Sequence, residues 1–453
     1  MMRSARTLSG ALARTALAGL LLWSVAGCSP GEQILEGERL GVREALLAGP
    51  DGTVPAAETA SETPRTVPLR LPAALAADWP QAGRNAAHAG GHMQLSASPA
   101  EAWRASIGSG ESRRLRITAA PVMAEGRVFT LDANTALAAF SPEGARLWQR
   151  DLTPPWGRRG AASGGGLAVG AGLVLAGTGF GSLTALDPAT GEPRWTQRLD
   201  AALSGPPAIE GGIAYAVTRN STALALRASD GRVLWQVEGV PDPAGLAGGP
   251  APAIGPRQAY FPFSSSEIVA TLRRGGLRVW NAPIPGQRRG EVYARLTDIV
   301  ASPALVEGVL YVGNQSGRMV ALAANSGARL WTAEEGAMGT PVVAGGSVFV
   351  VSDAARLVRL DARTGATLWA SDLPRFPSAK PRRRDEAFAH YGPVLAGGRL
   401  WVASSDGLIR GFNPESGALE ASLDLPGGAA SAPIAAQGTL YAVSRRGQLH
   451  AFR

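Results

Sequence analysis

The sequence predicts an all-β fold, an eight-bladed β-propeller of four-stranded antiparallel blades, on three observations. A turn followed by a tryptophan recurs at propeller-like spacing. Three short strand patterns precede each recurrence. The last recurrence lacks a fourth strand, which an isolated strand pattern ahead of the first could supply. The type stretch is Ala185-Leu186-Asp187-Pro188-Ala189-Thr190-Gly191-Glu192-Pro193-Arg194-Trp195. It reads as a strand end, a tight turn and a returning strand. Asp187 accepts bonds from turn amides, Pro188 fixes the φ of a second turn position, and Gly191 takes the left-handed conformation that closes a type I turn with a bulge.

The chain has 453 residues with 58 Gly, 33 Pro and 45% hydrophobic residues, enough for a sizeable core and rich in turns. Residues 1–27 carry Arg3, Arg6 and Arg14, then an apolar run from Ala16 to Ala26. That run is too short to span a bilayer and has the charged start and small-residue end of a secretion signal. Val25-Ala26-Gly27-Cys28 resembles a bacterial lipobox, which implies acylation of Cys28, the only cysteine of the chain. The alternative is an ordinary signal peptide with an incidental cysteine. Acylation leaves no thiol for a disulfide and supplies a stable anchor. Ser29, rather than Asp, follows the cysteine, and by the same resemblance this implies passage to the outer membrane. Residues 28–77, rich in Ala, Pro, Glu, Thr and Gly, read as a tether, with one short run, Leu69-Arg70-Leu71, that could add a strand.

The formal charge of +8 falls to +5 without the three signal arginines, and the basic residues are nearly all Arg. Such a balance permits contact with anionic surfaces, but no basic motif interleaved with aromatics points to nucleic acid. Arginine clusters stand at Pro154-Pro155-Trp156-Gly157-Arg158-Arg159, Gln287-Arg288-Arg289 and Lys380-Pro381-Arg382-Arg383-Arg384, readable as anion-binding bulges or as solvated loops.

The body, 78–453, divides into repeats at about 118–152, 164–200, 203–239, 248–284, 298–336, 338–374, 391–426 and 430–453. The tryptophan stands four residues after the turn glycine in six of them, as Trp148, Trp195, Trp235, Trp280, Trp331 and Trp369, at spacings of 47, 40, 45, 51 and 38. Repeat seven keeps Asn413-Pro414-Glu415-Ser416-Gly417 but has Ala421 at the tryptophan place. The eighth reaches Phe452-Arg453 without a fourth strand, while Glu101-Ala102-Trp103-Arg104-Ala105-Ser106-Ile107 reads as a fourth strand without a preceding three. Pairing these two segments closes the ring and removes exposed sheet edges. At a repeated place each tryptophan packs between neighbouring sheets, with ligand contact as the alternative reading.

Ala185-x-Asp187-x-x-Thr190-Gly191-x-x-x-Trp195 resembles the tryptophan-docking repeat of quinoprotein-like eight-bladed propellers, and Leu360-Asp361-Ala362-Arg363-Thr364-Gly365 with Trp369 nearly does. No tryptophan of the repeats is followed by Asp, so WD40 repeats fit less well. A lipobox, a tether and one propeller together look like the BamB family of the outer-membrane β-barrel assembly (BAM) machinery, over Cys28 to Arg453. That resemblance implies a non-catalytic scaffold lipoprotein with no cofactor. It would be held at the periplasmic face of the outer membrane, where it binds BamA and other BAM complex members and receives unfolded outer-membrane proteins. BamB proteins hold BamA partly through an Arg-Leu-Ser-Asp-x-Asp-like loop before blade five. Here Arg295-Leu296-Thr297-Asp298-Ile299-Val300 keeps the first acid and replaces the second by Val300. A Leu-x-Leu-Arg-Gly-like loop before blade four is met by Gly245-Leu246-Ala247-Gly248, which keeps Leu246 and has Ala247 in place of Arg. The partner-binding candidates are therefore Leu246, Arg295, Leu296 and Asp298. For Asp298 the alternative is that it caps its own turn.

Two other classes compete. A pyrroloquinoline-quinone-dependent dehydrogenase on the same fold needs a cation beside the quinone and acids converging on the channel. Asp132, Asp187, Asp230 and Asp361 sit mostly in blade turns, where capping accounts for them. A periplasmic scaffold binding glycan or another envelope protein is the third class. The histidines suggest no metal site: Gly90 and Gly91 separate His88 from His92, and His390 and His450 have no companion.

Overall fold

The computed structural model describes residues 68–240, 248–284, 286, 288, 298–378, 380, 384 and 386–453. All of them belong to one compact unit, Ala60–Arg453. They form eight four-stranded antiparallel sheets arranged in a ring, and no helix occurs among the described residues. Blades 1 to 7 span 122–151, 165–198, 208–238, 253–283, 304–333, 342–372 and 390–424, and blade 8 combines 434–452 with Glu101–Ser106. The first three strands of a blade are buried on both faces and the fourth alternates outward, as in Pro193–Arg198. In seven blades strands one and two meet through tight turns with both central residues at positive φ, such as Gly211-Gly212 and Gly345-Gly346, and blade 4 uses Gly255-Pro256-Arg257 instead. Those turns match the twist of the strands they join.

Each turn between third and fourth strands is a dock for the tryptophan of the blade before it. Gly191 has φ +70, and a Cβ added there would meet the Trp148 ring at 2.5 Å, so the residue must be glycine for conformation and for space. The indole N–H of Trp148 donates to the Pro188 carbonyl at 3.1 Å. The same bond recurs from Trp195 to Ala228, Trp235 to Arg273, Trp280 to Ala324, Trp331 to Ala362 and Trp369 to Pro414. The repeated tryptophans therefore join neighbouring sheets, as their spacing predicts. Within its own blade every one of these rings except Trp195, whose second strand has no aromatic, also tilts against an aromatic of the second strand, such as Phe129 for Trp148 and Tyr311 for Trp331.

The expected closure is present. Glu101–Ser106 pairs antiparallel with Gln448–Phe452, Trp103 opposite Ala451, and Ala100 and Arg453 exchange both backbone bonds. Trp103 docks on Gly144 of blade 1 and donates to Pro142 O at 2.8 Å, so the strand that completes blade 8 also fastens it to blade 1. Across the same pair, His450 Nδ1 lies 2.8 Å from Glu101 Oε1.

Blade 7 shows why its tryptophan is missing. The third and fourth strands of blade 8 are separate segments of chain, so no turn glycine or turn carbonyl faces position 421. The bulk has moved two strands inward. Where blade 1 aligns Phe129, Ala139 and Trp148, blade 7 aligns Trp401, Gly411 and Ala421. A Cβ on Gly411 would lie 2.9 Å from the Trp401 ring. Trp401 is fully buried and donates to Ala396 O at 3.0 Å.

Residues 68–95 run across one end of the ring and touch the inner strands of successive blades. Trp79 bridges to Met123, Pro80 O accepts from Val169 and the Gln81 side chain bonds both backbone groups of Ile209. Ala86 O and Ala87 O accept from Ile254 and Leu305. Met93, fully buried, pairs with Ala396, and Leu95 with Gly438. The Leu69-Arg70-Leu71 run forms no strand. Its leucines pack against blades 6 and 7 while Leu69 N–H donates to Glu415 Oε1 at 2.9 Å. Facing two blades at once, the run is held by these apolar contacts and one side-chain bond rather than by a backbone ladder.

Candidate partner-binding face and central channel

The cap meets the ring at the turns between first and second strands, so the connections between blades lie on the opposite, open face. A cavity of about 510 Å³ runs along the axis, from Trp79, Gln81 and His88 of the cap to Glu111, Arg116 and Arg445 at the open mouth. Its walls are small residues and prolines that begin the inner strands, such as Pro121, Pro206 and Pro433. At the mouth one carboxylate oxygen, Glu111 Oε2, accepts from Arg116 at 3.0 Å and from Arg445 at 2.9 Å.

His88 closes the inner end. Its Nδ1 lies 2.6 Å from Pro303 O, so that nitrogen carries the hydrogen, and burial pulls the imidazole down to about 4. The unfolded chain takes up this proton near 6.5 and the folded chain only near 4. The stability of the neutral ring is therefore intact above about pH 6.5 and lost as pH falls toward 4, by an amount on the order of 3 kcal/mol. Burial also lowers His390 and His450, which act in the same direction. Urea unfolding midpoints are expected to drop between pH 7.5 and 4.5. His88→Asn, which keeps a donor for Pro303, should flatten that drop. A variant as steep as wild type would exclude His88 as its source.

Of the sequence-predicted site residues, Cys28, Leu246, Arg295 and Leu296 lie outside the described residues. Asp298 is described and buried, 9% exposed, and its carbonyl accepts from Gln315 N–H at 3.1 Å. Val300, where the family pattern has its second acid, lines the cavity instead. On the other side of the same segment, Gly286 O accepts from Ser316 Oγ at 2.9 Å and Asn314 Nδ2 at 3.2 Å. One turn of blade 5, 314–316, thus holds both flanks of the stretch containing Arg295 and Leu296. Arg288 adds a fork-on bond to blade 6, with Nε 2.9 Å and Nη2 3.0 Å from the two oxygens of Asp353, which is 1% exposed in its side chain. Glu335 joins this network through Arg356 and Arg288, and burial raises its carboxyl despite those two cations. The sequence pointed to Arg288 only as part of a basic cluster, because its acidic partners are 47 and 65 residues away.

The turn acids behave as caps. Asp187 accepts from the amides of Ala189 and Thr190 and from Arg194, and these bonds hold its carboxyl below the usual range. Asp230 and Asp361 do the same in their turns, and buried Asp132 accepts from three amides. Among the described residues no group of three His, Cys, Asp or Glu is placed to hold a metal ion.

A family model described as "Outer membrane protein assembly factor BamB" matches residues 133–371 and 358–453. A protein of that name from Yersinia pestis is 27% identical over 365 residues, 78% of this chain and 89% of that protein. Among solved structures, BamB from Moraxella catarrhalis superposes with a TM-score of 0.63 at 20% identity, over 76% of this chain and 99% of that one. Quinohemoprotein alcohol dehydrogenase from Comamonas testosteroni superposes at 0.61 with 16% identity, over 83% and 80%. At these identities the structural likenesses show the shared fold. The family match covers most of the ring with its docking turns, and the chain belongs to the outer membrane protein assembly factor BamB family.

Proposed function

We propose that this protein is a non-catalytic accessory factor of outer-membrane β-barrel assembly. It is anchored by an acylated Cys28 to the periplasmic face of the outer membrane, and the chain that follows Cys28 tethers the propeller to it. Its partner is BamA within the BAM complex, and the contact is made by Arg295 and Leu296, with Asp298 at the base of that segment and Leu246 on the neighbouring connection. The observation that carries this reading is the match of a BamB family model along most of the propeller. The fastening of both flanks of the Arg295 segment to one turn supports it, since a contact held on rigid elements loses less entropy on binding. The exposed fourth strands of the blades are edges on which unfolded outer-membrane proteins could add a strand.

Arg295→Glu with Leu296→Ala is expected to weaken capture of BamA by roughly thirtyfold, the effect of losing a hot spot, while Tm stays at the wild-type value. Asp298→Lys should lower Tm as well, because it places a second charge type in a buried position. Undiminished capture by the double variant in a pull-down from membranes would remove this segment from the interface. The dehydrogenase reading rests on fold likeness alone, and fold does not confer chemistry.

A further inference from the structure

The open face carries a cationic rim over blades 8, 1 and 2 that the proposed assembly role does not use. Arg113 and Arg114 lie on the connection from blade 8 to blade 1, Arg158 and Arg159 on that from blade 1 to blade 2, and Arg446 on a turn of blade 8, all exposed. Hydrogen bonds join the three segments into one surface: Glu111 N–H donates to Arg445 O at 2.7 Å, and Arg116 N–H to Ser163 Oγ at 3.1 Å. The carboxylates on and under these three segments are already engaged. Glu111 holds Arg116 and Arg445, Asp132 is buried on amides, and Asp151 stands 4.0 Å from Arg159. Among the described residues Arg113, Arg114, Arg158 and Arg446 have no carboxylate partner.

Beside these arginines stands Trp156, 44% exposed, with the guanidinium of Arg198 5.1 Å from its ring centre. It follows Pro154 and Pro155 on the same connection as Arg158 and Arg159. A large exposed ring with a polar N–H, on a turn and with a guanidinium over its face, suits the boundary between lipid headgroups and acyl chains. An arginine guanidinium donates to two phosphate oxygens at once.

We propose that this rim is a membrane-contact surface that takes the phosphate headgroups of anionic phospholipids, with Trp156 seated at the headgroup level. A mobile array of phosphates can meet arginines spread over three separate segments without a matching rigid partner, and an acidic protein would gain little from the exposed indole. The surface lies on the face opposite the cap and does not depend on the contact proposed for BamA.

The test uses the full chain with Cys28→Ala, so that no acyl chain contributes, and sedimentation with vesicles of phosphatidylcholine alone or mixed with phosphatidylglycerol. Binding is expected to be at least about tenfold stronger to the anionic vesicles and to fall with added salt, since each arginine near such a surface contributes a severalfold factor. Changing Arg113, Arg114, Arg158 and Arg446 together to Glu should abolish that preference. The same change at Arg232, Arg257, Arg274 and Arg363, exposed on turns of the capped face, alters net charge equally and should preserve it. If the rim variant does not fold, the set Arg→Gln at the same positions replaces it, with the same expectation. Equal losses in the rim and control variants, or no preference for anionic vesicles, would overturn the proposal. So would binding of soluble polyglutamate, lost in the rim variant, without binding of vesicles, which marks an acidic-protein site.

Discussion

Deleting Glu101–Ser106 is expected to convert the protein into an aggregated or unfolded chain, the largest effect of any small change. Without that strand, Gln448–Phe452 presents a free row of amides and carbonyls, and an unpaired apolar edge of this kind recruits other chains. The loss is not confined to one ladder. Trp103 leaves both Tyr441, its ring partner in blade 8, and the Gly144 turn of blade 1, so the ring opens at a joint that is also an inter-blade contact. His450 also loses its Glu101 partner, and its second nitrogen has none even in the intact ring. Size-exclusion chromatography and thermal melting of the deleted chain provide the check. A monomer melting within a few degrees of wild type would show that closure contributes little.

Trp401→Ala is expected to be the most costly single substitution, at about 3–5 kcal/mol, because the surrounding strands cannot collapse into the space. Val394 and Gly411 flank the ring on both sides of the ladder, and glycine has no side chain to move in. A companion variant tests the reason for blade 7's departure from the repeat. Trp401→Phe, Gly411→Ala and Ala421→Trp together restore the arrangement of the other blades, yet no turn carbonyl of blade 8 awaits the new indole. An indole N–H without its acceptor costs roughly 1–3 kcal/mol, so the triple variant should be less stable than wild type despite matching the consensus. Urea unfolding measures both. A triple variant as stable as wild type would show that a docking turn is not what the tryptophan needs.

Much of the ring is legible along the chain because its determinants are local. Asp187 and Gly191 are four residues apart and define a turn wherever that pair recurs. Trp195 follows at a fixed interval and reports a blade. Even the closure could be read, since a fourth strand without a blade and a blade without a fourth strand imply each other. The candidate contact was legible only by resemblance. That Asp298 is buried and that Arg288 is clamped by Asp353 and Glu335 depends on groups brought together from distant repeats.

The cap makes the same point from the other direction. Residues 68–95 have no period and, apart from Leu69-Arg70-Leu71, no strand pattern, because their order comes from the ring beneath them. Trp79, Gln81, Ala86, His88 and Met93 each find a partner on a different blade, and only the circular arrangement places those partners in reach of one segment. The sequence by itself determined the number of blades, their turns, the tryptophan joints and the closing strand, because backbone geometry and side-chain spacing act over a few residues. Only the tertiary structure decided which end of the channel is covered, where the unpaired arginines gather and how blade 7 fills its missing tryptophan, because these depend on distances between residues that the chain keeps far apart until the ring is closed.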